Sequence, residues 1–165
     1  MSLALDWLRT RDGEDPMGHL DTVFRYAMAR LNQREEAEDV AIEVVQALPN
    51  PCYRRNLRLY MIGMARRKVA DRLRRLRPEI SVREQDTAVR FDGRSDDATL
   101  IAEAMAALSA DHREVLALKY VAGLSSLEIG KVLGRKSEAI DSLLQRARAA
   151  FSQEWTRLTS EEVNL

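Results

Sequence analysis

Apolar residues recur at intervals of three and four along this chain. Leu20, Val23, Phe24, Ala27, Met28 and Leu31 form one series, and Ala37, Val40, Ala41, Val44, Val45 and Leu48 a second. Leu59, Met61, Ile62, Ala65, Val69 and Leu73 form a third. This spacing lays a stripe along one side of an α-helix and suits no strand. It predicts helices over 17–31, 34–48 and about 56–75. Turn formers are correspondingly scarce, with 7 Gly and 4 Pro among 165 residues and aromatics at 5%. A sandwich or barrel needs more of both. Ala, Leu, Arg and Glu, all strong helix formers, dominate instead, so the fold class expected is all-α.

Local signals divide the chain further. Glu35 and Glu36 suit the first turn of the second helix, where the helix dipole favours negative charge. The segment PNPCYRRN (49–56) carries two prolines in three residues and breaks the helical pattern. Pro78 is expected to close the third helix, and the polar residues 79–97 lack helical periodicity. The pattern resumes over 98–108 and 111–121, with Ser109 or Asp111 as N-cap and Gly123 as a stop. The expected architecture is two small helical lobes, 1–78 and 98–158, joined by a flexible acidic linker over 79–97.

Several functional classes drop out. One cysteine, Cys52, forms no internal disulfide, and with only His19 and His112 beside it the chain lacks the ligands of an ordinary structural zinc site. No stretch approaches the ~18–20 apolar residues of a membrane span. The first residues lack the basic start and apolar core of a signal peptide. A reducing, cytoplasmic location follows as the expectation, with neither metal nor cofactor. Nucleophile-elbow, Walker and dinucleotide-binding patterns are absent, and nothing calls for an enzyme.

The net charge of zero conceals a strong pattern. Residues 1–48 carry ten acids and five bases, whereas 54–77 carry ten bases and a single acid, Asp71. From 79 to 97 acids again prevail, six to three. A solvated basic face would account for the middle block, but so one-sided a run over a single helix points to a nucleic-acid footprint.

The segment GLSSLEIGKVLGRKSEAIDSLLQRARAAF (123–151) has the organisation of a helix-turn-helix. Ser125 or Ser126 caps a short helix and Gly134 ends it, free to take positive φ. Gly130 permits close approach, Ile140 plugs the corner, and Leu127, Ile129, Val132 and Leu133 complete a small core. A second helix begins near Ser137 and turns Ile140, Leu143, Leu144, Ala147 and Phe151 inward. Lys136, Ser137, Glu138, Asp141, Ser142 and Gln145 then face outward, where a recognition helix meets base edges.

Three of these segments, in this order, resemble the extracytoplasmic-function sigma factors, the small promoter-recognition subunits of bacterial RNA polymerase. RYAMARLNQREEAEDVAIEV (25–44) is similar to the start of that family's region two, and YMIGMARRKVADRLRR (60–75) to its minus-ten helix. Residues 108–148 are similar to region four, which reads the minus-thirty-five element. The resemblance implies that Glu35, Glu36, Glu38, Asp39 and Glu43 dock on core polymerase, on its beta-prime subunit. It implies minus-ten contacts from Tyr53, Arg54, Arg55, Asn56, Tyr60, Arg66, Arg67, Lys68 and Arg74. Arg135, Lys136, Ser137, Glu138, Asp141, Ser142, Gln145, Arg146 and Arg148 would meet the minus-thirty-five element.

The implied partners are core polymerase, promoter DNA and an anti-sigma protein, the free chain being a monomer. Glu138 and Asp141 stand out, because carboxylates facing phosphates oppose binding. Asp141, off the inner stripe, is expected to face DNA. Two alternatives stay open on the residues themselves: a stand-alone helix-turn-helix regulator, and a sigma-like protein whose second lobe binds protein.

Overall fold

The computed structural model describes residues 15–49, 56–83 and 96–163, with side chains over 15–49, 56–76 and 97–161. Helix follows helix, with no strand among the described residues. A 3-10 turn, Pro16–His19, leads into α1 (Leu20–Leu31) and α2 (Arg34–Gln46). Next come α3 (Leu57–Arg83), α4 (Asp96–Ala106) and α5 (Ala110–Leu116), which widens into a π-helical turn, Ala117–Val121. The helices α6 (Ser126–Leu133) and α7 (Ser137–Val163) complete the order. None of the described helices is long and apolar enough to cross a membrane. The chain divides into two compact units, Met1–Arg75 and Leu76–Leu165, so the boundary falls within α3.

In the first unit the Asp15 carboxylate accepts from the Met17 amide at 2.9 Å and starts the 3-10 turn. α1 stops at Asn32, whose left-handed φ of 54° suits asparagine better than most side chains. α1 buries Val23, Tyr26, Ala27 and Leu31, whereas Phe24, expected in the stripe, is only half-buried. The Arg34 guanidinium lies 6.0 Å from the Phe24 ring centroid, a cation–π arrangement at the rim of the unit. α2 contributes Ala37, Val40, Ala41 and Val44; it ends at Gln46, two residues before the expected limit, yet Leu48 is still buried. Asn56 caps α3 by accepting from the Leu59 amide at 3.0 Å, and Leu57, Met61, Ile62, Ala65 and Val69 fill the remaining core.

Pro78 does not close α3. Proline lacks the amide hydrogen that would bond to the preceding turn, a cost of about 3 kcal/mol in a helix interior, but helical backbone continues to Arg83. Part of the segment read as a linker is therefore helix. Its remainder up to Ser95, the tip of the 49–56 break and Trp7 lie outside the described residues.

In the second unit α7 packs against α4, α5 and α6. Ser109 is the N-cap of α5, its hydroxyl accepting from the His112 amide at 3.3 Å. The side chain of Arg113 reaches back to the end of α4, where Nε donates to the Met105 carbonyl (2.9 Å) and Nη2 to those of Ala106 (2.7 Å) and Leu108 (3.1 Å). Carbonyls left without partners at a helix end are thereby satisfied by one charged fork.

Where a continuous α-helix was expected to Val121, the backbone widens. The Ala122 amide bonds to the Ala117 carbonyl and the Leu124 amide to that of Leu118. This turn buries Ala117, Leu118, Ala122 and Leu124, and Gly123 leaves it at φ 69°. α7 extends beyond residue 158 to Val163, with Phe151 and Trp155 stacked at 6.2 Å.

Candidate nucleic-acid interface

The acidic α2 and basic α3 neutralise each other along the side on which they meet. Arg72, 8% exposed, donates from Nε to Glu36 Oε2 at 2.7 Å. Its Nη2 donates to Glu43 Oε1 at 2.6 Å and its Nη1 to Glu43 Oε2 at 3.4 Å. Lys68 Nζ adds a contact to Glu43 Oε2 at 3.3 Å. The hydrogen bond from Arg72 holds the Glu43 carboxyl below its ordinary value against the opposing effect of burial, and Lys68 assists. The same bond from Glu43, also opposed by burial and assisted by Glu36, raises the Arg72 guanidinium.

Five acids were expected to dock outward, and the structure separates them. Glu36 and Glu43 are half-buried, with their carboxylates turned toward α3 and bonded to Arg72. Glu35, Glu38 and Asp39 are exposed, Glu38 bonded to Arg34 at 2.8 Å. Ile42, 51% exposed, and Gln46 continue the outward side of α2.

The basic residues divide similarly. Arg67, Arg74 and Arg75 are exposed, Arg74 paired with Asp71. Tyr60 and Arg66 are half-buried, and Lys68 is spent on Glu43. Asn56 is exposed, with its side-chain oxygen engaged in capping α3. Tyr53, Arg54 and Arg55, together with Cys52, lie outside the described residues.

The helix-turn-helix is built as its residues suggest. Ser125 and Glu128 form a capping box: the Ser125 hydroxyl accepts from the Glu128 amide at 3.2 Å, and Glu128 Oε2 accepts from the Ser125 amide at 2.8 Å. Gly134 ends α6 at φ 66°. A Cβ at Gly130 would stand 2.5 Å from the Arg135 carbonyl oxygen, so the close approach is by the turn's backbone. Ile140, Leu143, Leu144 and Ala147 are buried.

Leu127 departs from expectation at 60% exposure. The cap sets the phase of α6 so that Ile129 and Gly130 point inward, and a residue two positions before Ile129 emerges on the opposite side.

Lys136, Glu138, Ser142, Gln145, Arg146 and Arg148 are exposed on α7 or just before it, and Ser137 is half-buried. Arg135 is exposed and pairs with Asp111 at 3.7 Å. Arg148 donates to the Tyr120 hydroxyl at 3.2 Å, Tyr120 being carried outward by the π-helical turn. Asp141 is exposed but occupied, accepting from the Ser126 hydroxyl at 2.5 Å. Besides standing on the exposed side of α7, this carboxylate links α7 to the start of α6. Asp141→Lys is accordingly expected to remove the brace, destabilising the second unit by about 1 kcal/mol and offsetting any gain in phosphate attraction. Melting and duplex titration of the same variant test this.

Residues 98–151 match the family model for sigma-70, region 4. The chain is 28% identical over 159 residues to the ECF RNA polymerase sigma factor BldN of Streptomyces coelicolor, covering 84% of this chain and 60% of BldN. It is 29% identical over 160 residues to the ECF RNA polymerase sigma factor SigL of Mycobacterium tuberculosis, covering 89% and 87%. The chain thus spans less than two thirds of BldN but most of SigL. In fold it is similar to the sigma factor RpoE of Bartonella quintana, solved in complex with the anti-sigma factor NepR. The TM-score is 0.66 at 20% identity, over 85% of this chain and 93% of RpoE. The capped helix-turn-helix lies inside the region 4 match, the acidic and basic helices precede it, and over most of its length the chain is similar to extracytoplasmic-function RNA polymerase sigma factors.

Proposed function

We infer that this chain directs bacterial RNA polymerase core to promoters as a dissociable, non-catalytic initiation subunit working in the cytoplasm, monomeric when free. The observation that carries this reading is the first unit's two outward faces of opposite charge. On α2, Glu35, Glu38 and Asp39 surround the exposed Ile42, a surface suited to docking on polymerase, at its beta-prime subunit. On α3, Arg67, Arg74 and Arg75 point outward and track the phosphates of the minus-ten strand, with Tyr53, Arg54, Arg55, Asn56, Tyr60 and Arg66 serving its bases and backbone. Arg135, Lys136, Ser137, Glu138, Ser142, Gln145, Arg146 and Arg148 present the helix-turn-helix to the minus-thirty-five element, Asp141 acting as its brace. Ile42 is apolar and exposed, and an anti-sigma protein covering it would compete with polymerase.

Titration against purified core polymerase tests the docking face. Glu38→Lys combined with Asp39→Lys should lower affinity at least tenfold with no change in circular dichroism, since exposed charges add little to stability; unchanged affinity would remove α2 from the interface. Salt dependence tests the other face. Arg67→Ala and Arg75→Ala should each reduce the log–log slope for DNA binding by up to about 0.9 on duplex or about 0.7 on single strands. Lys68→Ala, already paired with Glu43, should change it less.

A further inference from the structure

The clasp of Arg72 on α2 lies on the side of α3 away from the outward Arg67 and Arg74. At 3.6 residues per turn, Arg67 and Arg74 project about 200–220° around the helix from Arg72. Glu36 and Glu43, seven residues apart, share one side of α2, while Glu35, Glu38 and Ile42 fall about 200–280° around from them. One buried side chain therefore joins the two helices away from Glu38 and Ile42 on α2 and from Arg67 and Arg74 on α3.

The guanidinium is a rigid planar fork, and here three of its N–H directions are used, one toward Glu36 and two toward Glu43. Two anchor points along α2 oppose both sliding and rolling of α3, which a single point charge does not. At 8% exposure the guanidinium is also screened less by salt than one in a surface pair.

Resting on the function proposed above, we propose that Arg72 is a positioning residue for promoter opening. It sets the rotation of α3 on α2, so that seating α2 on polymerase aims Arg67 and Arg74 at the strand being opened. Arg72 touches neither polymerase nor DNA in this role.

The test uses the full chain with purified core polymerase and a duplex that the wild-type holoenzyme selects from a randomised pool, labelled with 2-aminopurine in the melted segment. Arg72→Met removes the charge at similar volume, and Arg72→Lys keeps the charge without the fork. Both should bind core within twofold of wild type. Opening, read below each variant's melting temperature, should fall at least tenfold for Arg72→Met and about threefold for Arg72→Lys. Glu36→Gln, which loosens one anchor only, should give a smaller loss and serves if Arg72→Met fails to fold. Wild-type opening in folded Arg72→Met, or in both Arg72→Lys and Glu36→Gln, would overturn the proposal. So would a loss of core affinity in step with opening, which would place the effect on docking. A wild-type chain that neither binds core nor opens any selected duplex would instead overturn the function on which the proposal rests.

Discussion

Gly130→Ala is expected to destabilise the second unit by about 2 kcal/mol and to lower its melting temperature by about 10 °C. Two effects of opposite sign compete at this position. Alanine is a better helix former than glycine by about 1 kcal/mol, and φ at Gly130 is not in the left-handed region. The added Cβ, however, would meet the Arg135 carbonyl oxygen at 2.5 Å. Its neighbour is turn backbone, which cannot swing aside like the end of a flexible side chain. The Gly130 carbonyl also accepts from the Arg135 amide at 2.9 Å, so moving the turn disturbs a hydrogen bond as well. Overpacking wins, and binding of duplex DNA by the helix-turn-helix should fall with it. Thermal melting of the variant checks the sign: unchanged or raised stability would mean that the turn relaxes at little cost.

Removing both carboxylates of the clasp should cost more than removing the arginine they share. Glu36→Gln with Glu43→Gln leaves a buried guanidinium without a counter-charge, a loss of about 3 kcal/mol. Arg72→Met leaves two carboxylates that are 36% and 42% exposed and regain water, a loss nearer 1 kcal/mol. The ranking is the test, and equal losses would show that packing rather than charge holds the two helices together.

Acid should expose the same interaction. The Glu43 carboxyl is held below its ordinary value of 4.5, chiefly by the hydrogen bond from Arg72. Its contribution is fully present above that value and is lost as pH falls through the lower folded one. Denaturant melts below pH 4.5 should show a decline in wild type that the double variant lacks.

The helix-turn-helix was legible because its signals are local. A serine with glutamate three residues on, a glycine at each place requiring positive φ and an apolar residue at Ile140 all act within a few residues of themselves. The charge map was less transparent. A basic helix and an acidic helix read identically whether their charges meet partners or each other, because pairing is decided by rotation about two axes. The clue lay in phase: Ile62, Ala65, Val69 and Arg72 share one stripe at intervals of three and four, which places an arginine where only a paired one is tolerated. Glu36 and Glu43, flanking Val40, had the matching register.

The hydrogen-bond partner of Asp141 was not legible for a related reason. That partner, Ser126, lies fifteen residues earlier, beyond any capping pattern. Pro78 misled in the other direction, since proline's missing hydrogen bond weakens a helix locally without dictating that it end. The widening at Ala117–Val121 has no sequence signature comparable to a cap; its outward Tyr120 and inward Leu118 fit an α-helix equally well.

The most direct measurement of the central claim is run-off transcription with purified core polymerase, with and without the full chain, on the duplexes that the reconstituted holoenzyme selects. A discrete transcript from one start site, absent without the chain and weakened by Glu38→Lys with Asp39→Lys, is the expected result. Specific duplex binding by the chain alone, with no association with core polymerase and no transcript, would contradict it.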